Sequence, residues 1–253
     1  MAEDHSYADY YVDALSERYG HEVVQVRDPV EAQAALAGGG FDAAVVDIIF
    51  DAMPEEFAAR SRDRHNPLST DRLILSGLSI VYAANAAGTP VVVWTSGESN
   101  RKLHVIFAYE ELRVRAFVSK RSSAGPANLD EALRSAVAGR EYADVIIAAS
   151  LPPARAVPMR QTILSDPASK RTIWRALAVG ARSRKDIAVV TGLEEKTIGD
   201  LVLAMYEDVT ALGVRLPTSS PHFDSRARLN ELASFASFYS VFFLDDAVRV
   251  VFG

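Results

Sequence analysis

Short apolar runs alternate with stretches that carry helix signals over residues 1–148. The runs lie at 21–26, 41–46, 91–97 and 116–120. Most of them lack strict alternation of apolar and polar residues, which is typical of strands covered on both faces. Strand–helix–strand units of this kind build parallel sheets. We therefore predict an α/β domain with a parallel sheet over the first 148 residues.

Capping residues predict where two of the intervening helices begin and end. Asp28 is a good N-cap with Pro29 at the first helical position, and the glycines at 38–40 end that helix. Asn128 is predicted to cap a later helix. The predicted apolar faces of the helices in this domain include Tyr10, Tyr11, Leu78, Tyr82, Leu129 and Val137.

Three consecutive strands of the predicted sheet end on polar side chains. They are Asp47, Thr95 and Lys120. In open parallel sheets, functional groups gather at the carboxyl ends of the strands. A functional site is therefore predicted at this edge, although Asp47 on its own would equally fit a solvated residue that opens a loop.

Four short motifs accompany these strand ends. They are Glu-Asp-His at 3–5, Val-Val-Asp at 45–47, Trp-Thr-Ser at 94–96 and Phe-Val-Ser-Lys at 117–120. Together they resemble the receiver domain of bacterial two-component response regulators. The resemblance implies a doubly wound sheet, as in flavodoxin, with strand order 2-1-3-4-5.

The resemblance also implies the chemistry of this edge. Asp47 would accept a phosphoryl group from a sensor histidine kinase. Glu3, Asp4 and Asp47 would bind Mg²⁺ together with the carbonyl of Ile49. A divalent cation held by carboxylates would neutralise charge on the incoming phosphate.

The same resemblance implies roles for three further residues. Lys120 would pair with the phosphate, Thr95 would donate a hydrogen bond to it, and Phe117 would be the aromatic side chain that rotates. The sequence departs from the family in two places. Only two residues precede Glu3, where the family has a whole strand, and the stretch between Asp47 and Thr95 is longer than usual.

The amino-acid composition of the chain changes at residue 149. Residues 149–165 hold three prolines and no acidic residue, which predicts a linker. Residues 166–214 then carry a helix, a short helix with the capping pair Ser183 and Asp186, a glycine turn and a longer helix. This order predicts an all-α helix-turn-helix domain.

Two motifs in this domain are similar to the output domain of LuxR/NarL-type regulators. They are Arg-Lys-Asp-Ile-Ala at 184–188 and Gly-Leu-Glu-Glu-Lys-Thr-Ile at 192–198. DNA binding is predicted through Arg182, Arg184, Lys185, Lys196 and Thr197. Basic and acidic residues are equally numerous over 166–214, so the alternative is a helix-turn-helix kept for packing or protein contacts.

The C-terminal extension, residues 215–253, contains two strongly apolar segments, 241–244 and 248–252. Its predicted helix at 225–239 has an inward face of Leu229, Leu232, Ala233, Phe235, Ala236 and Tyr239. Such a face must be buried, either on the helix-turn-helix domain or against a partner in a homodimer.

Composition narrows the classes of function. The net charge is −6, and the absence of cysteine excludes disulfides and thiolate metal sites, which fits a cytoplasmic protein. No apolar run is long enough to cross a membrane. The histidines lack metal-ligand spacing, and neither a phosphate loop nor a nucleophile elbow is present, so we predict no enzyme. The sequence predicts a dimeric transcriptional regulator. The alternative is a protein-interaction or ligand-sensing module with a degenerate receiver and a helix-turn-helix that does not read DNA.

Overall fold

The computed structural model describes residues 1–2, 8–50, 76–97, 99–153, 156–214 and 225–252. These residues form two compact units. The first contains the described residues up to 151, and the second contains those from 152 onward. None of the described helices has both the length and the apolarity needed to cross a membrane.

The first unit is built on a parallel sheet with helices between its strands. Its strands are β1 (Ala44–Val46), β2 (Val91–Thr95), β3 (Ala116–Ser119) and β4 (Tyr142–Ala143), hydrogen-bonded in that order. Its helices are α1 (Ala8–Tyr19), α2 (Pro29–Gly38), α3 (Gly77–Ala86), α4 (Lys102–Glu110), α5 (Pro126–Val137) and α6 (Val145–Ala148). A 3₁₀ turn at Ser99–Arg101 precedes α4. The predicted α/β class with a parallel sheet is confirmed.

Ala2 extends the sheet beyond β1. It forms parallel bridges to Val26 on one side and to Val46 on the other. Its N–H donates to the carbonyl of Val45 at 2.8 Å, and its carbonyl accepts from the N–H of Asp47 at 3.1 Å. The order across the sheet is therefore Val26, Ala2, β1, β2, β3 and β4. Numbered along the chain, the first five follow the predicted order 2-1-3-4-5, and β4 adds a sixth position beside β3 that was not predicted. The strand predicted over 21–26 is reduced to the single bridge at Val26.

The capping predictions have opposite outcomes in the two helices. Asp28 accepts hydrogen bonds from the N–H groups of Val30 and Glu31, as its N-cap role requires. Helix α5 instead begins at Pro126, after Gly125 at φ 56°, so Asn128 lies inside the helix and is not its cap. The Gly-Pro pair sets the turn and the first helical φ before Asn128 is reached. The Asn128 amide donates to the hydroxyl of Ser122.

The core of the first unit lies on both faces of β1 to β3, which are buried almost throughout. Tyr11, Leu78 and Leu129 are buried as predicted. The predictions for three helix residues are wrong, because Tyr10, Tyr82 and Val137 are 54%, 49% and 56% exposed. Each lies at the margin of an apolar face, outside the strip that contacts the sheet.

The second unit is entirely helical in its described residues. A 3₁₀ turn, Met159–Gln161, precedes α7 (Ala168–Ala178), α8 (Arg184–Thr191) and α9 (Glu195–Ala211). Met159, Ile163 and Leu164 are buried, so the last part of the segment predicted as a linker packs into the core of this unit.

Helices α10 (Ser225–Phe238), α11 (Ser240–Phe243) and α12 (Asp246–Phe252) complete the second unit. The ring of Trp174 on α7 stacks on Phe243 with centroids 4.9 Å apart, and it lies 5.5 Å from Phe235. All six residues predicted to face inward over 225–239 are buried. The extension thus packs on α7 of its own unit. Lys170 on α7 also donates to Asp208 on α9 at 2.8 Å, in a largely buried ion pair.

The start of α8 carries a reciprocal cap that the sequence predicts. The Ser183 hydroxyl accepts from the N–H of Asp186, whose carboxylate accepts from the N–H of Ser183. At the other end of α8, Gly192 adopts φ 71° in the left-handed region and begins the turn into α9.

Loss of this cap is expected to destabilise the second unit. Ser183→Ala leaves one donor at the start of α8 without its acceptor, and we expect the free energy of unfolding to fall by about 1 kcal/mol. Denaturant unfolding followed by circular dichroism measures the change. Ser237→Ala, at an exposed position inside α10, is the control and should be neutral. An equal loss in both variants would contradict the capping role.

Candidate functional site

The parallel register brings three of the predicted site residues to one edge of the sheet. Thr95 pairs with Ser119, so β2 and β3 end together, and Val46 pairs with Val93, so β1 ends two residues earlier at the same edge. The N–H of Lys120 donates to the carbonyl of Thr95 at 2.8 Å.

Asp47 and Lys120 meet directly at this edge. Lys120 Nζ donates to Asp47 Oδ2 at 2.8 Å, and both side chains are less than one-tenth exposed. The N–H of Ile48 donates to the other carboxylate oxygen at 2.7 Å. The carboxylate is therefore oriented from two sides.

Burial controls the acidity of this carboxyl group. It raises the pKa of Asp47 above its ordinary value, because removal from water disfavours the charged form. The charge and the hydrogen bond of Lys120, with backbone N–H groups of Ile48 and Ile49, oppose that rise. The Asp47 carboxylate is therefore shielded from water and more basic than the carboxylate of an exposed aspartate.

An aromatic ring helps to hold the Lys120 ammonium. Lys120 Nζ lies 5.2 Å from the ring centroid of Trp94, within the range of a cation–π interaction. Trp94 is fully buried on β2, where it also packs against Tyr11 of α1. The ammonium is thus positioned by the ring as well as by the carboxylate.

The hydroxyl of Thr95 is a buried polar group at the end of β2. Thr95 is fully buried, and its Oγ1 has no hydrogen-bond partner among the residues that the structure describes. Such a group costs about 1–3 kcal/mol when left unsatisfied. Functional sites are a common place for such groups, since a ligand can supply the missing partner.

Phe117 lies in the interior of the sheet, on the strand that leads to Lys120. It is buried on β3, beside Val93, with its ring centroid 6.4 Å from that of Tyr109 on α4. It does not join the polar cluster. It links the strand that ends at Lys120 to the neighbouring helix.

Helix α3 touches the backbone of Asp47. The N–H of Gly77 donates to the carbonyl of Ile48 at 2.8 Å. A Cβ atom on Gly77 would lie 1.7 Å from the carbonyl oxygen of Asp47. Only glycine permits this approach, so Gly77 is part of the structure that positions Asp47.

Asp144 supports the site, although it is not among the residues that the sequence predicts. It follows β4 and caps α6 by accepting from the N–H groups of Ile146 and Ile147. Its other oxygen accepts from the N–H of Ser119, the residue before Lys120. An aspartate before the apolar run at 145–148 is a recognisable N-cap signal, but the two-residue strand before it is too short to show a pattern.

The predicted Mg²⁺ site is described only in part. Glu3 and Asp4 lie outside the described residues. Asp47 is described, and Lys120 occupies its Oδ2. Within the described ranges there is no group of three or more histidine or acidic side chains arranged to hold a metal. The described residues alone therefore do not make a magnesium site.

Some of the predicted DNA-binding residues point into solvent, and others make contacts within the second unit. Lys185, Lys196 and Thr197 are exposed around the start of α8 and of α9. The Arg182 guanidinium donates to the carbonyls of Leu177 and Ala181, both at 3.0 Å, so it ties down the end of α7.

Arg184 contacts α9, the helix that the helix-turn-helix prediction would place in a groove of DNA. It is half-buried, and a Cβ atom on Gly199 would lie 3.1 Å from its guanidinium carbon. Glu194, Glu195 and Asp200 are exposed on the same turns as Lys196. This face therefore carries charge of both signs.

Comparison with known proteins identifies no family for this chain. A scan against protein-family models matches none of them, and no curated protein is significantly similar to this chain. A function can therefore be argued only from the chemistry of the residues themselves.

Proposed function

We propose that this chain is a cytoplasmic, DNA-binding transcriptional regulator whose receiver-like first unit is controlled by phosphorylation of Asp47. The observation that carries the proposal is the buried ion pair between Asp47 and Lys120 at the carboxyl edge of a parallel sheet. A buried pair of this kind adds little net stability. The pair lies where the strands end, and the neighbouring Thr95 carries a buried hydroxyl with no partner among the described residues; both features favour a role in binding an anion.

The chemistry follows from these positions. A carboxylate oxygen of Asp47 would attack the phosphorus of a donor such as the phosphohistidine of a sensor kinase. A P–O bond forms, the bond from phosphorus to the donor nitrogen breaks, and its electron pair leaves with the imidazole. Lys120 would then pair with the phosphoryl oxygens, and Thr95 would donate its hydroxyl to one of them.

Mg²⁺ belongs to the proposal as the expected cofactor. Glu3 and Asp4 follow Ala2 in the sequence, and the carbonyl of Ala2 accepts from Asp47. When bound by these residues and the Ile49 carbonyl, the ion would neutralise phosphate charge. Phe117, three residues before Lys120 on β3 and next to Tyr109, would carry the change from the strand end toward α4.

The second unit would supply DNA binding. Helices α8 and α9, joined at Gly192, have the order of a helix-turn-helix, and Lys196 and Thr197 are exposed at the start of the second helix. Lys185 and Arg184 would contact phosphates, and Arg182 would brace the preceding turn. A homodimer would join two weak half-sites into one stronger contact.

One observation favours a second candidate function. Glu194, Glu195 and Asp200 are exposed around Lys196, and acidic groups oppose the phosphate contacts on which DNA affinity depends. In this alternative the chain is a protein-interaction or ligand-sensing module whose helix-turn-helix does not read DNA.

Capture of genomic DNA fragments tests the proposal. Purified protein is incubated with fragments, with and without acetyl phosphate and Mg²⁺, and bound fragments are sequenced. We expect enrichment of a palindromic site that acetyl phosphate increases, together with a mass increase of one phosphoryl group. Asp47→Asn should abolish both responses to acetyl phosphate.

The matched control is Asp42→Asn, an exposed aspartate just before the same strand. It should behave as the wild type. Absence of enrichment in every sample at low salt would refute DNA binding and favour the interaction module. Enrichment without phosphoryl incorporation would retain the regulator and refute Asp47 as acceptor.

A further inference from the structure

The proposed function does not use the segment that follows α5, although this segment reaches the functional edge of the sheet. Strand β4 pairs in parallel with β3 and continues directly into α6. The last strand residue, Ala143, lies opposite Phe117, whose carbonyl accepts from the N–H of Asp144 at 3.3 Å. Successive residues of a strand bond to opposite neighbours, so the next residue of β3 that faces this side is Ser119. Strand β4 has ended before it can offer Ser119 a carbonyl.

The side chain of Asp144 takes the place of that missing carbonyl. Asp144 is 8% exposed, and its Oδ2 accepts from the N–H of Ser119. Its Oδ1 accepts from the N–H groups of Ile146 and Ile147, at 2.9 Å each, and so caps α6. One carboxylate therefore joins the end of β3 to the start of α6.

Ser119 is the residue from which the chain passes to Lys120. It is 1% exposed, its hydroxyl accepts from the N–H of Arg121 at 3.1 Å, and its carbonyl accepts from the N–H of Ser122 at 3.0 Å. The N–H of Lys120 donates to the carbonyl of Thr95. With Asp144 in place, hydrogen bonds hold the backbone on both sides of the point where the Lys120 side chain begins.

Helix α6 also lies against the loop that follows β2. A Cβ atom on Gly97 would lie 3.2 Å from a methyl group of Ile146 and 3.2 Å from one of Ile147. Gly97 is two residues after Thr95. The helix that Asp144 caps is therefore packed beside the ends of both strands that carry the proposed phosphate contacts.

We propose that Asp144 is a positioning residue, which holds Lys120 in place against Asp47 through the backbone of Ser119. Its effect on the reaction rests on the proposed function, in which the Lys120 ammonium must meet both the Asp47 carboxylate and the oxygens of the incoming phosphoryl group. A small displacement of a group with two such contacts is enough to slow a transfer.

Asp144→Asn separates this role from helix capping. Asparagine has the same shape and is as good an N-cap, so its carbonyl oxygen can keep the cap of α6. Its NH₂ group would then face the N–H of Ser119, donor against donor. Asp28→Asn is the matched control, because Asp28 caps α2 through the same pair of contacts, at 2.7 and 3.0 Å, and is not bonded to β3 among the described residues.

Two rates measured on the full chain report on Lys120. Acetylation by acetic anhydride at fixed pH, followed by peptide mass spectrometry, measures access to its amine, which belongs to a side chain only 9% exposed. We expect Asp144→Asn to accelerate this acetylation at least fivefold. Phosphoryl incorporation from acetyl phosphate and Mg²⁺ should become at least tenfold slower. Asp28→Asn should leave both rates unchanged, and circular dichroism verifies that each variant is folded.

The direction of the second rate distinguishes positioning from charge. Removal of a negative charge near the acceptor would favour an anionic donor, so faster incorporation in Asp144→Asn would overturn the inference. Unchanged acetylation of Lys120 would overturn it as well, and would leave Asp144 as a helix cap. If the wild type took up no phosphoryl group, the proposed function would fail on its own. Faster acetylation in Asp144→Asn, but not in Asp28→Asn, would still show that Asp144 positions Lys120.

Discussion

Gly77→Ala is expected to lower the free energy of unfolding of the first unit by about 3 kcal/mol or more, the upper range for overpacking of a core. The added Cβ would lie 1.7 Å from the Asp47 carbonyl oxygen, 2.8 Å from its carbonyl carbon and 3.0 Å from a methyl group of Val46. Two of these three atoms are backbone at the end of β1. No change of side-chain rotamer can relieve the overlap.

The substitution should also disturb the site itself. The Gly77 N–H donates to the carbonyl of Ile48, and the Ile48 N–H donates to the Asp47 carboxylate. Any shift that makes room for the methyl group moves this chain of contacts. We therefore expect Gly77→Ala to lose phosphoryl incorporation from acetyl phosphate even under conditions where it remains folded.

Tryptophan fluorescence separates the two units in this experiment. Trp94 lies in the first unit and Trp174 in the second, and both are fully buried. Urea unfolding in a Trp174→Phe background follows the first unit alone. Gly38→Ala is the matched control, because a Cβ there meets nothing within 4 Å and φ is not in the left-handed region. That change should be neutral or stabilising by about 0.5–1 kcal/mol. A Gly77→Ala variant as stable as Gly38→Ala would show that α3 does not approach Asp47 this closely.

The strand ends could be predicted because a parallel sheet leaves few choices. Three apolar runs separated by helices fix the class of fold, and parallel strands place Asp47, Thr95 and Lys120 at one edge. The direct ion pair between Asp47 and Lys120 is a property of side-chain geometry that strand positions alone do not determine.

The wrong predictions for individual residues of the first unit have local physical causes. Helical spacing identifies an apolar face but not its width, so Tyr10 and Val137 were placed in the core although the sheet covers only the centre of each face. Asn128 has the side chain of a cap, but the backbone of Gly125 starts the helix earlier. Asp144 was missed because it acts through the backbone of Ser119, 25 residues away in sequence.

The linker prediction shows how composition can mislead. Three prolines and the lack of acidic residues predicted a linker over 149–165, yet Met159 and Ile163 are fully buried. Proline is compatible with packed structure when its missing N–H is not needed, as at Pro158 before a 3₁₀ turn. The apolar residues that follow the last of these prolines indicate the packing better.

Lys120→Met is expected to destabilise the first unit by about 3–5 kcal/mol near pH 7, the usual result of removing one partner from a buried ion pair. Methionine keeps most of the apolar stem of the side chain, so the loss reflects the uncompensated Asp47 carboxylate. The double variant with Asp47→Asn, which carries neither charge, should recover most of the stability.

The pH dependence of this loss follows from the pKa of Asp47. Burial raises that pKa, and Lys120 opposes the rise, so removal of the lysine raises the pKa further. A carboxyl group whose pKa is higher in the folded than in the unfolded chain favours folding only while it is protonated. Stability therefore falls as the pH rises above the ordinary carboxyl pKa. The deficit of Lys120→Met should be less than about half as large near pH 4 as near pH 7.

An exposed ion pair in the same unit provides the control. Arg27 donates to Asp9 at the same 2.8 Å, but both side chains are 53% exposed. Arg27→Met should cost less than about 1 kcal/mol, because water screens the pair. Urea unfolding of both variants at pH 4 and pH 7 makes the comparison. If Lys120→Met lost no more stability than Arg27→Met at neutral pH, the Asp47 carboxylate would have to be solvated. The shielded, relatively basic acceptor on which the proposed phosphoryl chemistry depends would then not exist.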